Sequence, residues 1–359
     1  MEVAHDPTYA PYLITGGGTR SVTAFLGARV ALICDEATCV RSLDLARMRS
    51  GDLLGATSLV VSLIEQLLGV LDSVIGPTFA PALDAPYRGR IRVEVGEMQG
   101  FNGCAHHGRL GFYVDASFLG VMLARAVGGS PTLCHVVGYE ALRNYIDPEV
   151  FTLALDYRCA AGACPRGGVA HDGRCVPQAD SWGWVNQGAV DIVGVLLLDQ
   201  LIAPGGGGVQ LDYHGSDRAS FRAEMEADAV RAGAIAAAAI SGWGAVWQHD
   251  RLPWDASRSL DNAYAGIFSQ CYDVCGGPRW LSGLWAALPL LLANGRAPES
   301  KDDVRTASEN FYIAARVGAG AEGAPEVDRI FAALHWPLRE GIAGPEGLAA
   351  ALGAAAAGE

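Results

Sequence analysis

Apolar residues recur at helical spacing along Leu53–Ile75, with Glu65 and Asp72 on a polar side, which predicts a long amphipathic helix. Pro77 and Pro81 close it. Residues 28–34 (Ala-Arg-Val-Ala-Leu-Ile-Cys) read as a short buried strand. Arg90–Val95 alternates Arg-Ile-Arg-Val-Glu-Val, the period of a half-buried strand, and Gly108–Asp115 reads as another. Thr132–Ile146 reads as a helix, with Pro131 near its first turn and Asp147-Pro148 closing it. Tyr157–Gln178 breaks the pattern with Gly, Pro and three cysteines, and reads as an inserted loop. Helical spacing resumes at Trp184–Leu201 and stops at Pro204 and four glycines. It returns at Phe221–Ile240, Ala263–Phe268, Trp280–Leu292, Val304–Val317 and Glu326–Leu334. From Gly341 onward Ala and Gly dominate, which predicts a frayed tail.

Strands cluster in the first third and helices in the last half, so the expected class is α+β with a mostly helical second lobe. The expected organisation is a first lobe over 1–155, a Cys/Gly-rich insert over 156–180, a helical lobe over 181–340 and a tail over 341–359. Half of the 359 residues are hydrophobic, enough for a large core, and this excludes wholesale disorder. The net charge of −13 lacks the basic footprint of a nucleic-acid binder and disfavours an anionic membrane surface. Lys301 is the only lysine. The longest apolar stretches, read as Ala232–Trp247 and Leu281–Ala293, fall short of the ~18–20 strongly apolar residues of a span. No membrane or nucleic-acid partner is expected. The opening MEVAHDPTYAPYL has neither a basic nor an apolar leader region, so reduced thiols and a cytoplasmic location are expected. Nine cysteines leave at least one thiol free or paired between chains.

The order of elements carries a resemblance. A strand, a long helix, a strand, an edge strand, a helix with a central Glu and a second helix opening Trp-x-Asn-x-Gly resemble the zincin metallopeptidases, more narrowly the gluzincins. In that family a first helix reads His-Glu-x-x-His, often followed by Asn. Its two His bind zinc one turn apart, and its Glu activates a zinc-bound water. The second helix often reads Trp-Leu-Asn-Glu-Gly and gives the third ligand. The present chain has Tyr139-Glu140-Ala141-Leu142-Arg143-Asn144 and Trp184-Val185-Asn186-Gln187-Gly188, with Asp191 four residues after Gln187. The C-terminal stretch Thr306–Leu338 also resembles the helical lobe of some of these enzymes.

On that pattern, Glu140 keeps the general-base position and Asp191 the supporting carboxylate. Tyr139 and Arg143 stand in place of the two His, and Gln187 in place of the ligand Glu. Arg has no lone pair to donate, Gln offers a neutral carbonyl, and a phenolate is costly near neutral pH. A tight zinc site from Tyr139, Arg143 and Gln187 is therefore implausible, and no cofactor is expected there. Glu140 and Arg143 are at i, i+3, close enough to pair on one helix face. A second register, His135-Val136-Val137-Gly138-Tyr139, also has a metallopeptidase shape, but its base position is Val136.

Two functions follow. One is a pseudopeptidase that binds a peptide or protein partner in a cleft between the lobes. The other is an active hydrolase-type enzyme, with Glu140 as base, Tyr139 as acid or oxyanion donor and Arg143 as clamp. A metallopeptidase would need other ligands, such as His106, His107 or His135.

Cys159-x4-Cys164-x6-His171-x3-Cys175 carries the donors of a small structural zinc knuckle. A disulfide or unconnected thiols fit the same residues. Cys271-x3-Cys275 reads as two buried thiols. Cys104-Ala105-His106-His107 precedes the expected edge strand, which in zincins binds extended peptide by strand addition. Cys104 as a nucleophile competes there with an ordinary turn. Thr15–Thr19 and Gly205–Gly208 lack the Lys-Ser/Thr of a phosphate loop and read as turns.

Overall fold

A computed structural model describes residues 1–10, 18–35, 37–38, 52–75, 86–97, 103–105, 111–129, 132–146, 168–171, 174–177, 192–193, 196–197, 210–212, 218–244, 246, 260–297, 304–342 and 344–353. The class is mixed α+β. The chain forms two units, one from Met1–Pro148 with Gly194–Phe221, the other from Glu149–Val193 with Arg222–Glu359.

The first unit is built on a six-stranded sheet. In chain order it contains β1 (Glu2–Tyr9), β2 (Arg20–Leu26), β3 (Val30–Asp35), α1 (Leu53–Ile75), β4 (Ile91–Gly96), β5 (Gly103–Ala105), β6 (Gly111–Asp115), α2 (Ala116–Val127), β7 (Thr132–Cys134) and α3 (His135–Ile146). The sheet order is β1-β2-β3-β4-β6-β5. β3, β4 and β6 run parallel, and β1, β2 and β5 complete the sheet antiparallel to their neighbours. The α1 crossover between β3 and β4 explains the parallel pair, since such a pair needs a long connection.

Successive residues face opposite sides of the sheet. One row runs Phe25–Leu32–Val93–Phe112–Ala105, and the next runs Ala24–Ile33–Glu94–Tyr113–Cys104. Ala24 and Ile33 cluster with Ala4, Tyr9, Val22, Leu26, Ala31 and Tyr87, a group with no helical member. The helices therefore cover the face of the Phe25 row. There α1 packs against β2 and β3, α2 against β4 and β6, and α3 against β5 and β6. α1 is long and apolar enough by length and composition to cross a membrane. Its acidic groups are nevertheless used within the fold. Glu65 Oε1 accepts the Arg29 and Val30 N–H groups at 2.6 and 3.1 Å, and Asp72 pairs with Arg29 at 2.7 Å.

Several expectations need correction. β1 and β2 precede the first strand read from the sequence. The helix expected from Thr132 starts at His135, because Thr132–Cys134 pairs in parallel with β10 (Gln210–Asp212), a partner 78 residues away. Cys104 and Ala105 lie within the edge strand and not before it, which makes β6 an interior strand. β4 is not half-buried: Glu94 is 3% exposed beneath Tyr9, whose hydroxyl donates to Glu94 Oε1.

In the second unit, the region read as an inserted loop contains a hairpin of β8 (Gly168–His171) and β9 (Arg174–Pro177). Of the helix expected over Trp184–Leu201, residues 192–193 and, in the first unit, 196–197 are described; they are helical and buried. α4 (Arg218–Ala238), α5 (Leu260–Val274), α6 (Pro278–Ala293) and α7 (Val304–Ala333) follow. α7 joins the two helices read separately from the sequence, and its backbone breaks at Gly320, which has φ +64°. The expected frayed tail instead carries α8 (Pro345–Leu352), anchored by buried Ala351 and Leu352.

α5, α6 and α7 enclose an aromatic core of Phe268, Trp280, Phe311 and Phe331, joined by Trp243, Tyr264 and Trp336. Each buried indole N–H that this core turns inward meets a carbonyl: Trp243 at Leu334, Trp280 at Ala315 and Trp336 at Ser308, at 2.8–3.0 Å. That removes the penalty of burying a polar atom without a partner.

Candidate functional site

Helix α3 carries the motif residues. Pairing of β7 with β10 holds the chain extended through Cys134, and the Cys134 thiol points to the Phe118 carbonyl at 3.6 Å. The helix therefore begins at His135, which places Tyr139 one turn on and Glu140 near its middle. Val136, Val137, Gly138, Ala141 and Leu142 are buried, and Tyr139 is half-buried. Glu140 is 3% exposed. Both Tyr139 and Glu140 interact with neighbouring residues. A carboxylate this deep in an apolar helix persists only with compensating polar contacts or a proton, because isolated burial of the charge is costly.

α3 lies against β5 and β6. β5 pairs with β6 and has no second neighbour among the described strands. The described geometry thus joins a helix with a buried central Glu to an antiparallel edge strand. An edge of this kind presents backbone N–H and C=O groups that can pair with an extended segment.

Arg143 and Asn144 fall on the last turn of α3 and His135 on its first. Their side chains, and with them the expected Glu140–Arg143 pair, lie outside the described residues. Gln187, Asp191, Cys159 and Cys164, with His106 and His107, also lie outside them. His171 and Cys175 fall on the β8–β9 hairpin. His171 stands opposite Arg174 and Cys175 opposite Ala170, so the register puts positions 171 and 175 on opposite faces of the ladder. Among the described residues no group of three or more His, Cys, Asp or Glu is placed to hold a metal ion.

Sequence reasoning missed a polar cluster on the sheet face away from the helices. Glu94 accepts the Tyr9 hydroxyl, and Tyr87 stands edge-on to Tyr9 at 5.5 Å. The guanidinium of Arg92 lies 5.9 Å from the Tyr87 ring centre. Burial, then the Glu94 charge, drives the Tyr9 phenol far above its usual range, so Tyr9 stays a neutral donor. Burial raises Tyr113 likewise, with Asp115 next in effect. The signal available was the Arg-Ile-Arg-Val-Glu-Val alternation itself: its polar row needs a cover, and Tyr9 and Tyr87 supply one.

In unit 2 the acidic–basic cluster is structural. Glu309, fully buried, accepts from Arg296 at 2.9 Å and from the Arg339 backbone N–H at 2.9 Å. Comparison with protein-family models, with curated proteins and with solved structures finds no match to this chain.

Proposed function

We propose that this protein is a zincin-fold pseudopeptidase that binds an extended peptide or protein segment and has lost the catalytic metal. The observation that carries this reading is the placement of α3, with buried Glu140, against the β5–β6 edge. The motif departures agree with it: Arg143 stands where a ligand would, and a permanent cation repels a divalent ion. The partner supplies backbone hydrogen bonds along β5, and alternate side chains set its specificity.

The test is selection from a library of extended peptides, followed by binding measurements on the wild type and on Glu140→Gln. A pseudopeptidase binds without cleaving, and the variant retains affinity within a few-fold. Cleavage by the wild type that Glu140→Gln abolishes would establish the enzymatic alternative, with Glu140 as base. Absence of any peptide that binds would remove both readings.

A further inference from the structure

The turn between β2 and β3 is gripped from two sides by opposite charges. The Gly27 N–H donates to the Val30 carbonyl at 2.9 Å and closes the turn. From α1, Glu65 Oε1 accepts the Arg29 and Val30 N–H groups at 2.6 and 3.1 Å. From the residue before β4, Arg90 Nε donates to the Gly27 carbonyl at 2.6 Å, and Nη1 donates to the Arg88 carbonyl at 2.8 Å. Gly27 permits this approach, because a Cβ there would run into Glu65 Oε1 and Val61.

Each head group spends only part of its bonding capacity on the turn. Glu65 Oε2 and Arg90 Nη2 make none of these bonds, and neither charge has an ion-pair partner among the described residues. Neither atom is sealed in the interior, so both are accessible. Glu65 and Arg90 are half-buried and line one cleft of about 370 Å³. Ser58, Val61 and Ser62 line it from the same face of α1, three and four residues apart, and Leu26 lines it from the end of β2. A cleft of this volume is at the small end of ligand sites, roughly 300–1,000 Å³.

Both heads grip one turn, so they stand within about 10 Å of each other. Their backbone bonds hold them in place before any ligand arrives, which lowers the ordering cost of binding. A simple anion entering the cleft meets the Glu65 carboxylate, and a simple cation meets the Arg90 guanidinium. A molecule carrying both an ammonium and a carboxylate satisfies the two. An α-amino acid with a charge-assisted contact of ~2.8 Å at each end spans about 8 Å, which fits between them.

We propose that this cleft binds a free α-amino acid, whose ammonium donates to Glu65 Oε2 and whose carboxylate accepts from Arg90 Nη2. The site is independent of the peptide-binding reading, because β4 and β6 separate β3 from the β5 edge.

The test is calorimetry on the full chain with each of the common free amino acids, at concentrations up to about 10 mM. The tightest ligand is then compared with its N-acetyl derivative, which lacks the ammonium, and its carboxamide, which lacks the carboxylate. Each derivative should bind about ten-fold or more weakly, because each loses one charge-assisted contact. Glu65→Gln keeps a side-chain carbonyl for the Arg29 and Val30 N–H groups and should weaken the free amino acid by a similar factor, with the urea midpoint of the first unit little changed. Ser58→Leu fills the cleft from α1 and should abolish binding. Failure of every free amino acid to bind would overturn the proposal. So would binding that either derivative, or Ser58→Leu, leaves unchanged. The derivatives are measured on the wild type and decide the matter alone if a variant does not fold.

Discussion

Gly266 on α5 and Gly69 on α1 make opposite predictions for one substitution. A Cβ built on Gly266 falls 2.1 Å from the Met225 carbonyl oxygen and 2.9 Å from the Glu226 Cα, both backbone atoms of α4. Nothing flexible can yield, so the two helices must separate by about 1 Å or more to reach ordinary contact. Overpacking of this kind costs ~1–3 kcal/mol, and a backbone obstacle places it at the upper end. Alanine recovers ~1 kcal/mol of helix propensity. The balance for Gly266→Ala is a loss of about 2 kcal/mol. At Gly69 a Cβ meets nothing within 4 Å, so only the propensity gain remains, ~0.5–1 kcal/mol. All eight tryptophans belong to the second unit, so indole fluorescence during urea unfolding reports the Gly266 effect without interference from the first. Hydrogen exchange of α1 amides reports the Gly69 effect. An unchanged or raised urea midpoint for Gly266→Ala would refute the close helix crossing.

Three further predictions follow from the buried groups and one backbone outlier. Burial, with the Glu326 carboxylate adding to it, pushes the Cys275 thiol from 9.0 up to about 11. The folded state therefore holds this proton more tightly than the unfolded state. The associated stability is whole below pH ~9 and is lost as pH rises toward 11, amounting to about 2–3 kcal/mol. Melting curves from pH 8 to 11 should fall in the wild type and fall less steeply in Cys275→Ala, the remaining slope coming from other raised groups such as the buried Cys271 thiol. Glu309→Gln leaves Arg296, whose side chain is 15% exposed, beside a neutral amide, and should cost ~3 kcal/mol in the second unit's urea transition. A loss below 1 kcal/mol would show that the pair is not desolvated. His335, exposed and at φ +52° just past α7, occupies a left-handed position suited to Gly. His335→Gly should raise stability by ~0.5–1 kcal/mol, measured the same way.

The elements legible in the sequence were those whose burial follows a local period. α1 buries Val60, Val61, Ile64, Leu67, Leu68 and Leu71, a stripe that needs no distant partner to be seen. β1 was invisible because it buries two of eight residues and is held chiefly by its ladder to β2. β7 is three residues long and exists because of β10, so no window around Thr132 contains the reason for it. α8 was masked by Ala and Gly composition, although Leu352 and Ala351 are the anchors. For the site, the position of Glu140 within a helix was legible, because caps and spacing are local. Its depth was not, because β5, β6 and β7 bury α3 from sequence positions that no helical period encodes. Glu94 failed in the opposite sense: an alternating strand predicts an exposed polar row, and the cover over that row comes from Tyr9, 85 residues away.

The proposed function requires the edge of β5 beside α3 to take an extended segment without a catalytic metal. The most direct measurement is hydrogen exchange at Gly103–Ala105, in chelator-treated protein, with and without a selected peptide. These amides are expected to gain protection on binding, with the peptide left intact and neither result changed by added zinc. Peptide hydrolysis that depends on stoichiometric zinc, or binding that leaves the β5 amides unprotected, would contradict it.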